Sequence, residues 1–151
     1  MTKKAHNIDP TQIHLKHIEE LYTDIGKLVD NLNPVSKLDT KVAHKHAFNI
    51  SDNLFLLGLK AVFKAVEIDG EPECIFRVNF HFEVDNLDDM YTHNEEDIPV
   101  FQELFVATLA GISYSTLRGI IYEKTINTFW NGITLPVINP AILLKGWIED
   151  E

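Results

Sequence analysis

The sequence predicts an α+β protein in which an antiparallel sheet of three to four strands is backed by a long helix and a short C-terminal helix. Apolar residues recur at every second position between residues 39 and 84, which is the period of half-buried strands. After Pro99 they recur at three- and four-residue steps, which is the period of a helix. An Asn-Gly break at 131–132 and the segment LPVINP then lead to the short apolar segment AILLKGWI. With 151 residues and 45% hydrophobic content, residues 1–151 make one domain with its own core.

The N-terminal part begins with residues 1–12, which we predict to be loose, and residues 13–32 then allow two interpretations. Asp9-Pro10 is typical of a helix start. Apolar positions at helical spacing follow and end before Asn33-Pro34; they are Ile13, His17, Leu21, Ile25, Leu28 and Leu32. Alternation at Ile13, Leu15 and His17 favours a strand instead for the first few residues. Local spacing therefore predicts a helix over 13–32, with a first strand as the alternative.

Three strands follow. The first has a mixed inner face of Val42, His44, His46, Phe48 and Ile50. The next two, residues 54–68 and 71–84, flank Asp69-Gly70, the dipeptide that a two-residue type I′ hairpin turn prefers. Pairing Ile68 with Glu71 and counting outward places these residues on one core face: Phe55, Leu57, Leu59, Ala61, Phe63, Ala65, Cys74, Phe76, Val78, Phe80, Phe82 and Val84. The other face, with Lys60, Lys64, Arg77 and His81, is predicted to be solvated.

The long helix is apolar on two sides. One stripe consists of Phe101, Leu104, Phe105, Leu109, Ile112, Thr116 and Ile120. The other consists of Val106, Ala110, Gly111, Tyr114, Leu117 and Ile121. One sheet covers only one side, so we predict that a second copy of the chain covers the other, in a homotetramer or at least a dimer. The predicted oligomer interface is Phe105, Leu109, Ile112, Thr116 and Ile120. Insertion into a membrane is not predicted, because the apolar run 104–117 is shorter than the roughly 20 residues of a span.

Charge and cysteine content restrict the classes of function. The net charge of −10 argues against a nucleic-acid partner, which needs clustered Lys and Arg on one face. The single cysteine, Cys74, excludes an internal disulfide, and the N-terminal residues lack the apolar core of a signal peptide. We therefore expect a cytoplasmic protein. The acidic connector 85–97 is predicted to be a solvated loop whose last carboxylates favour the helix N-terminus.

Residues with catalytic potential form no recognisable constellation. We find no nucleophile elbow and no phosphate-binding glycine loop, so the chain is predicted not to be an enzyme and to need no cofactor. His44 and His46 on one strand, with His81 on a neighbouring strand, could form a three-histidine metal site in a small-ligand or metal-binding module. No Cys, Asp or Glu at ligand spacing supports that site, and no metal is predicted. Cys74 alternates with core residues and is predicted to be buried rather than nucleophilic.

The order of these elements, with three local motifs, resembles the SecB family of protein-export chaperones. The motifs are Tyr114 four residues before Arg118, the break at 131–132, and LPVINP at 135–140 followed by ILL. The resemblance covers residues 40–147. It implies a SecB-like fold, in which a four-stranded antiparallel sheet is backed by two helices and two dimers pack with their long helices between the sheets. It also implies a first strand at 13–24, where the local spacing favours a helix.

The resemblance implies an ATP-independent holdase that binds unfolded preproteins in apolar grooves. In the family, the groove lies between the crossover and last helix on one side and the second strand on the other. Carried over by position, the groove residues are Val42, Phe48, Phe129, Trp130, Ile133, Leu135, Val137, Ile138, Ile142, Leu143 and Trp147. Trp130 and Trp147 are favoured among them, because aromatic residues dominate promiscuous contact surfaces. A chaperone of the same kind that guards one dedicated client, such as an antitoxin, is the alternative, and no sequence feature separates the two.

Coupling to an export motor is a separate question. In the SecB family the SecA motor docks on the outer face of the sheet through acidic residues. Here the centre of that face is predicted to carry Lys60, Lys64 and Arg77, while Glu73 and Glu83 remain on it. Like charges facing such a partner lower affinity and slow the encounter. We therefore predict weak or absent coupling to a SecA-type motor, which favours the dedicated client.

Overall fold

The computed structural model describes residues 8–26, 37–66 and 70–146. Four long strands, β1 (Ile13–Asp24), β2 (Leu38–Asn49), β3 (Leu54–Ala65) and β4 (Glu73–Val84), form one antiparallel sheet in the order β1-β4-β3-β2. A small hairpin of β5 (Tyr91–His93) and β6 (Pro99–Phe101) precedes the long helix α1 (Glu103–Thr125), and α2 (Pro140–Gly146) follows the crossover. The predicted α+β class and arrangement are confirmed.

The first strand corrects the local prediction of a helix over 13–32. Ile13–Asp24 pairs with β4 along its whole length, while residues 27–36 lie outside the described part of the chain. Two bulges, at Lys16 and Leu21, each insert one residue into the pairing. Across each bulge, the β1 residues that face buried β4 side chains are three positions apart instead of two. This spacing resembles the period of a helix. In the segment 1–12, predicted to be loose, Pro10–Gln12 forms a 3-10 turn capped by Asp9, and residues 1–7 lie outside the described part of the chain.

The β3–β4 hairpin has the predicted faces but a different register. The prediction pairs Phe63 with Phe76, whereas the structure pairs Phe63 with Cys74. The connection is longer than two residues, because the Ala65 amide donates to the carbonyl of Pro72. A shift of two residues keeps every side chain on its face. All twelve residues of the predicted core face are therefore buried.

Helix α1 packs one side on the sheet. It begins at Glu103, because Phe101 is part of β6, and the acidic connector predicted as a loop contains a 3-10 turn and β5. Its buried residues are Phe105, Leu109, Ala110, Ser113, Tyr114, Leu117, Ile121 and Thr125. The helix is long and apolar enough for a membrane span, a property it shares with core helices of soluble proteins. Here the sheet and the crossover cover its buried side.

Candidate functional site

The chain leaves α1 through a turn that only a few residue types adopt easily. Asn131 (φ 56°) and Gly132 (φ 77°) are both left-handed. A Cβ on Gly132 would lie 3.0 Å from the ring of Tyr122, so both the backbone conformation and the available space favour glycine. The turn brings the Ile133 amide to the Oγ1 of buried Thr125 (2.7 Å), which itself donates to the Ile121 carbonyl. The start of the crossover is thereby fixed to the end of α1.

Two α1 side chains hold the middle of the crossover. The Tyr114 hydroxyl donates to the carbonyl of Pro136, and Arg118 Nε donates to the carbonyl of Leu135 at 2.7 Å. The two side chains are one helical turn apart, so they project from the same side of α1. Burial raises the pKa of the Tyr114 hydroxyl, and the nearby Arg118 guanidinium lowers it by a smaller amount. Tyr114 and Arg118, which are four residues apart in the sequence, thus form a clamp on two consecutive backbone carbonyls.

Helix α2 is placed by its first residues and by β2. Asn139 caps the helix, because its Oδ1 accepts from the Ala141 amide at 2.9 Å, and Pro140 occupies the first helical position. Near the other end, His44 Nε2 donates to the carbonyl of Leu144 at 3.1 Å. Between them, Leu143 is fully buried. The seven-residue helix is therefore attached at both ends and through one buried side chain.

An open apolar groove of about 540 Å³ lies between α1 and the start of α2. The lining residues are Glu103, Leu104, Ala107, Thr108, Gly111, Ile112, Asn139, Pro140 and Ala141. Leu104 in this lining is 58% exposed. Two exposed apolar side chains lie outside the lining: Val137, 81% exposed, lines a smaller adjoining pocket that shares Gly111 and Pro140, and Ile142, 59% exposed, follows Ala141 in the sequence. Gly111 allows close approach of the start of α2, since a Cβ there would lie 3.2 Å from the Pro140 ring. We call this surface, with Leu104, Ile112, Val137, Pro140 and Ile142, the α1–α2 groove.

No protein-family model and no curated protein match this sequence. Among solved structures, the fold is similar to that of Rv1957, a SecB-like chaperone from Mycobacterium tuberculosis solved in complex with a ChAD peptide from the HigA1 antitoxin. The likeness covers 85% of this chain and 93% of that chain, with a TM-score of 0.57 and 16% identity. The chain has a SecB-like fold. A protein of unknown function from Streptococcus agalactiae matches at a TM-score of 0.43 and 11% identity over 83% of this chain and 97% of that one.

The SecB-like fold separates the predicted groove residues into two groups. Those in the protomer core are Val42, Trp130, Ile133, Leu135 and Leu143. Those with exposed or partly exposed side chains are Phe48, Phe129, Val137, Ile138 and Ile142. Trp130, favoured as a contact residue, is instead a core anchor whose indole N–H donates to the Ile25 carbonyl at 2.6 Å. Trp147 lies outside the described residues.

Phe48 belongs to a second apolar surface. It lies four residues beyond His44, roughly 13 Å along β2 at 3.3 Å per residue. Its ring packs 5.0 Å from Phe101, which also contacts Phe55 and Phe105. Exposed Leu54, Ile98 and Val100 complete the apolar side chains at this end of the molecule. The sequence reasoning did not include the β5–β6 hairpin, because three-residue strands are too short for a detectable alternation.

The predicted oligomer interface is divided in the same way. Phe105 and Leu109 are fully buried inside the protomer, so they are not on its surface. Ile112 is exposed, and Thr116 and Ile120 are partly exposed, although the latter two lie seven and eleven residues after buried Leu109 and thus on nearly the same side of α1 as that residue. The sequence reasoning missed that another side of α1, at Leu104, Ala107 and Gly111, lines the α1–α2 groove, with Ile112 at its border. Apolarity on both sides of α1 was the signal that could have identified it.

The three histidines of the possible metal site do not converge. His44 and His46 lie on the inner side of the sheet, where His44 bonds α2 and His46 stacks on Phe55. His81 lies on the outer side, opposite Leu56, and bonds Glu19 at 2.9 Å. The described residues contain no group of three metal-binding side chains. Burial raises the pKa of the Cys74 thiol to about 12, as expected of a buried cysteine rather than a nucleophile.

Proposed function

We propose that this protein is an ATP-independent holdase chaperone that binds an extended apolar segment of an unfolded polypeptide in the α1–α2 groove. The observation that carries the proposal is the presentation of Val137 and Ile142 to solvent by backbone that Arg118, Tyr114 and buried side chains hold in place. Exposed apolar side chains on a fixed backbone bind a ligand with little loss of conformational entropy. The SecB-like fold supports the same conclusion.

A dedicated client, such as an antitoxin, is favoured over general preprotein export. The SecB-like chaperone with a similar fold was solved with an antitoxin peptide. The outer face also carries Lys60 opposite Arg77, with Lys64 near its edge, where a family export motor would require acidic residues. Selective protection of one protein encoded beside this chain, compared with a panel of unrelated unfolded proteins, is the expected result. Equal protection of all of them would favour the general holdase.

The groove is tested by the double variant Val137→Ser/Ile142→Ser. We expect it to lose most of its ability to suppress aggregation of a chemically unfolded client without nucleotide, because both side chains are exposed and make little contribution to the core. The matched control is Ile98→Ser/Val100→Ser, which makes the same two residue changes at exposed positions of the β5–β6 hairpin. Light scattering of the client measures protection, and circular dichroism checks the fold. Equal loss in both variants would place the client elsewhere than in the α1–α2 groove.

We also propose that the protein assembles as a dimer of dimers through the stripe of α1 that contains Ile112, Thr116 and Ile120. Ile112 is the exposed apolar residue of this stripe and also borders the α1–α2 groove, so the mass of the protein rather than client binding is the readout of its substitution. Ile112→Asp is expected to dissociate the oligomer, because an unpaired charge in an apolar interface costs several kcal/mol, about the surplus that holds such interfaces together. Light scattering on a sizing column measures the mass, with Ile112→Val as control. A wild-type monomer at micromolar concentration would contradict the proposal.

A further inference from the structure

Arg118 on α1 is a half-buried cation with most of its hydrogen-bonding capacity unused. Its Nε donates to the Leu135 carbonyl at 2.7 Å. Within residues 8–26, 37–66 and 70–146, no carboxylate forms an ion pair with it and no other hydrogen bond engages it. A guanidinium has five N–H donors in a planar fork, so the donors on its two terminal nitrogens remain open to a ligand.

The bond to Leu135 also sets which edge of the guanidinium is open. Nε is occupied, so the edge that contains Nε is engaged by the crossover. The edge between the two terminal nitrogens can still donate two parallel N–H···O bonds, the arrangement that fits the two oxygens of a carboxylate. Because the crossover already holds the head group, a ligand would meet an ordered cation and lose little conformational entropy on binding.

Arg118 lines a cavity of about 70 Å³ between α1 and the crossover. A water molecule needs only about 10–15 Å³ of such volume, so the cavity has room for the carbon and the two oxygens of a carboxylate. Ser115, one helical turn before Arg118, lines the same cavity. Its exposed hydroxyl has no hydrogen-bond partner in the part of the chain that the structure describes. A guanidinium and a hydroxyl thus offer donors to one small cavity.

The cavity adjoins the α1–α2 groove, because Gly111 and Pro140 line both. Val137, the most exposed apolar side chain of the crossover, lines the cavity as well. An extended segment that lies in the groove and contacts Val137 would therefore pass the cavity. The cavity is too small to take a stretch of main chain, but it can take the end of one side chain.

We propose that Arg118 and Ser115 bind the carboxylate of an aspartate or glutamate side chain in the client segment that lies in the α1–α2 groove. This inference rests on the proposed function and adds a specificity to it, namely an acidic residue among apolar ones. Charge complementarity selects the carboxylate, since attraction to an unneutralised cation is stronger in a half-buried site than in water. The net charge of −10 opposes an acidic segment only weakly, because charges beyond about 8 Å are screened at physiological ionic strength.

The test uses two fluorescent peptides with amidated C termini, Ser-Leu-Val-Glu-Leu-Ile-Ser and the same sequence with Gln in place of Glu. Each is titrated with the full chain and followed by anisotropy. We expect the wild type to bind the Glu peptide about tenfold more tightly than the Gln peptide, the factor typical of a charge-assisted hydrogen bond. The preference should fall as the salt concentration rises.

Two variants separate direct contact from the clamp on the crossover. Ser115→Ala leaves the clamp intact, so it should weaken the Glu peptide by about threefold and leave the Gln peptide unchanged. Arg118→Lys removes both the fork and the Nε donor, so both peptides should bind less well and the preference should fall to about threefold or less. A purely structural role of Arg118 would weaken the two peptides equally. Ser51→Ala, the same change outside the cavity and the groove, is the matched control and should behave as the wild type does.

Three results would overturn the inference. The first is equal affinity of the wild type for the two peptides, and the second is a preference that Arg118→Lys and Ser115→Ala leave unchanged. The third is Arg118-dependent binding of a Gln peptide with a free C-terminal carboxylate as tight as that of the Glu peptide, because the cavity would then take a chain end. Equal binding of the two peptides leaves the proposed function standing. Absence of binding of either peptide, together with absence of client protection, contradicts both.

Discussion

Leu135 and Val137 are separated by one proline in the crossover and have opposite environments. Leu135 is 0% exposed and its carbonyl accepts from Arg118, whereas Val137 is 81% exposed. The pattern recurs in α2, where Leu143 is fully buried beside exposed Ile142. Each exposed apolar side chain thus lies within two residues of a buried one.

The difference shows how a short segment with few hydrogen bonds of its own can present apolar side chains. Extended backbone next to solvent would otherwise be mobile, and a mobile groove must be ordered when a ligand binds. Here the buried neighbours and the Tyr114 and Arg118 bonds supply that order in advance. We infer that the buried residues, which we call anchors, determine the stability of the crossover. The exposed apolar residues, which we call presented residues, determine how well it binds a client.

The largest expected effect separates these two roles. Leu135→Ala should lower the free energy of unfolding by about 2–5 kcal/mol, because it leaves a cavity in a site with no exposed surface. Val137→Ala should change it by less than about 0.5 kcal/mol. Urea unfolding followed by tryptophan fluorescence measures both. Similar losses in the two variants would mean that Val137 is also an anchor.

The same distinction explains how much of the fold was predictable from the sequence. The faces of β3 and β4 follow from strict alternation, and they survive a two-residue error in register because the error is even. Local spacing favours a helix over β1 because its two bulges break the alternation, whereas the SecB-like resemblance implied a first strand at 13–24, as the pairing with β4 shows. Long-range pairing of this kind leaves no local trace in the sequence.

The sequence predicted that the candidate site is apolar, but it did not predict which of its residues are exposed. The segments LPVINP and ILL indicated apolar contacts. The sequence does not show, however, which of their aliphatic residues are buried and which are exposed. Leu135 is buried and Val137 exposed, and Arg118 and Tyr114 bond the carbonyls of Leu135 and Pro136. Trp130 was favoured as a contact residue, yet its indole N–H finds a partner in the Ile25 carbonyl and the ring is buried. These outcomes depend on tertiary hydrogen bonds.

A smaller effect is expected from the clamp itself. Arg118→Met keeps the length of the side chain and removes the donor to Leu135, which should cost about 1–3 kcal/mol because the carbonyl loses its partner. Client affinity should fall as well, although Arg118 is not among the presented apolar residues. Arg118→Lys is the control for charge, since it keeps the cation without the Nε donor. Unfolding and client titrations on the same samples would show whether stability and binding change together; unchanged binding would separate the clamp from the groove.

The smallest expected effect concerns the start of α2. Asn139→Ala removes the side-chain acceptor for the Ala141 amide and should cost about 1 kcal/mol, the usual loss for an N-cap. A helix of seven residues has little stability of its own, so this loss should fray its first turn, where exposed Ile142 lies. Asn139→Asp keeps an acceptor at the same position and adds a charge that the helix N-terminus favours, so it should bind client at least as well as the wild type. Amide hydrogen exchange at Ala141 and Ile142 measures the fraying directly. If exchange rises in Asn139→Ala while client affinity stays constant, α2 presents Ile142 without the cap, and attachment through Leu143 and His44 is sufficient to hold it.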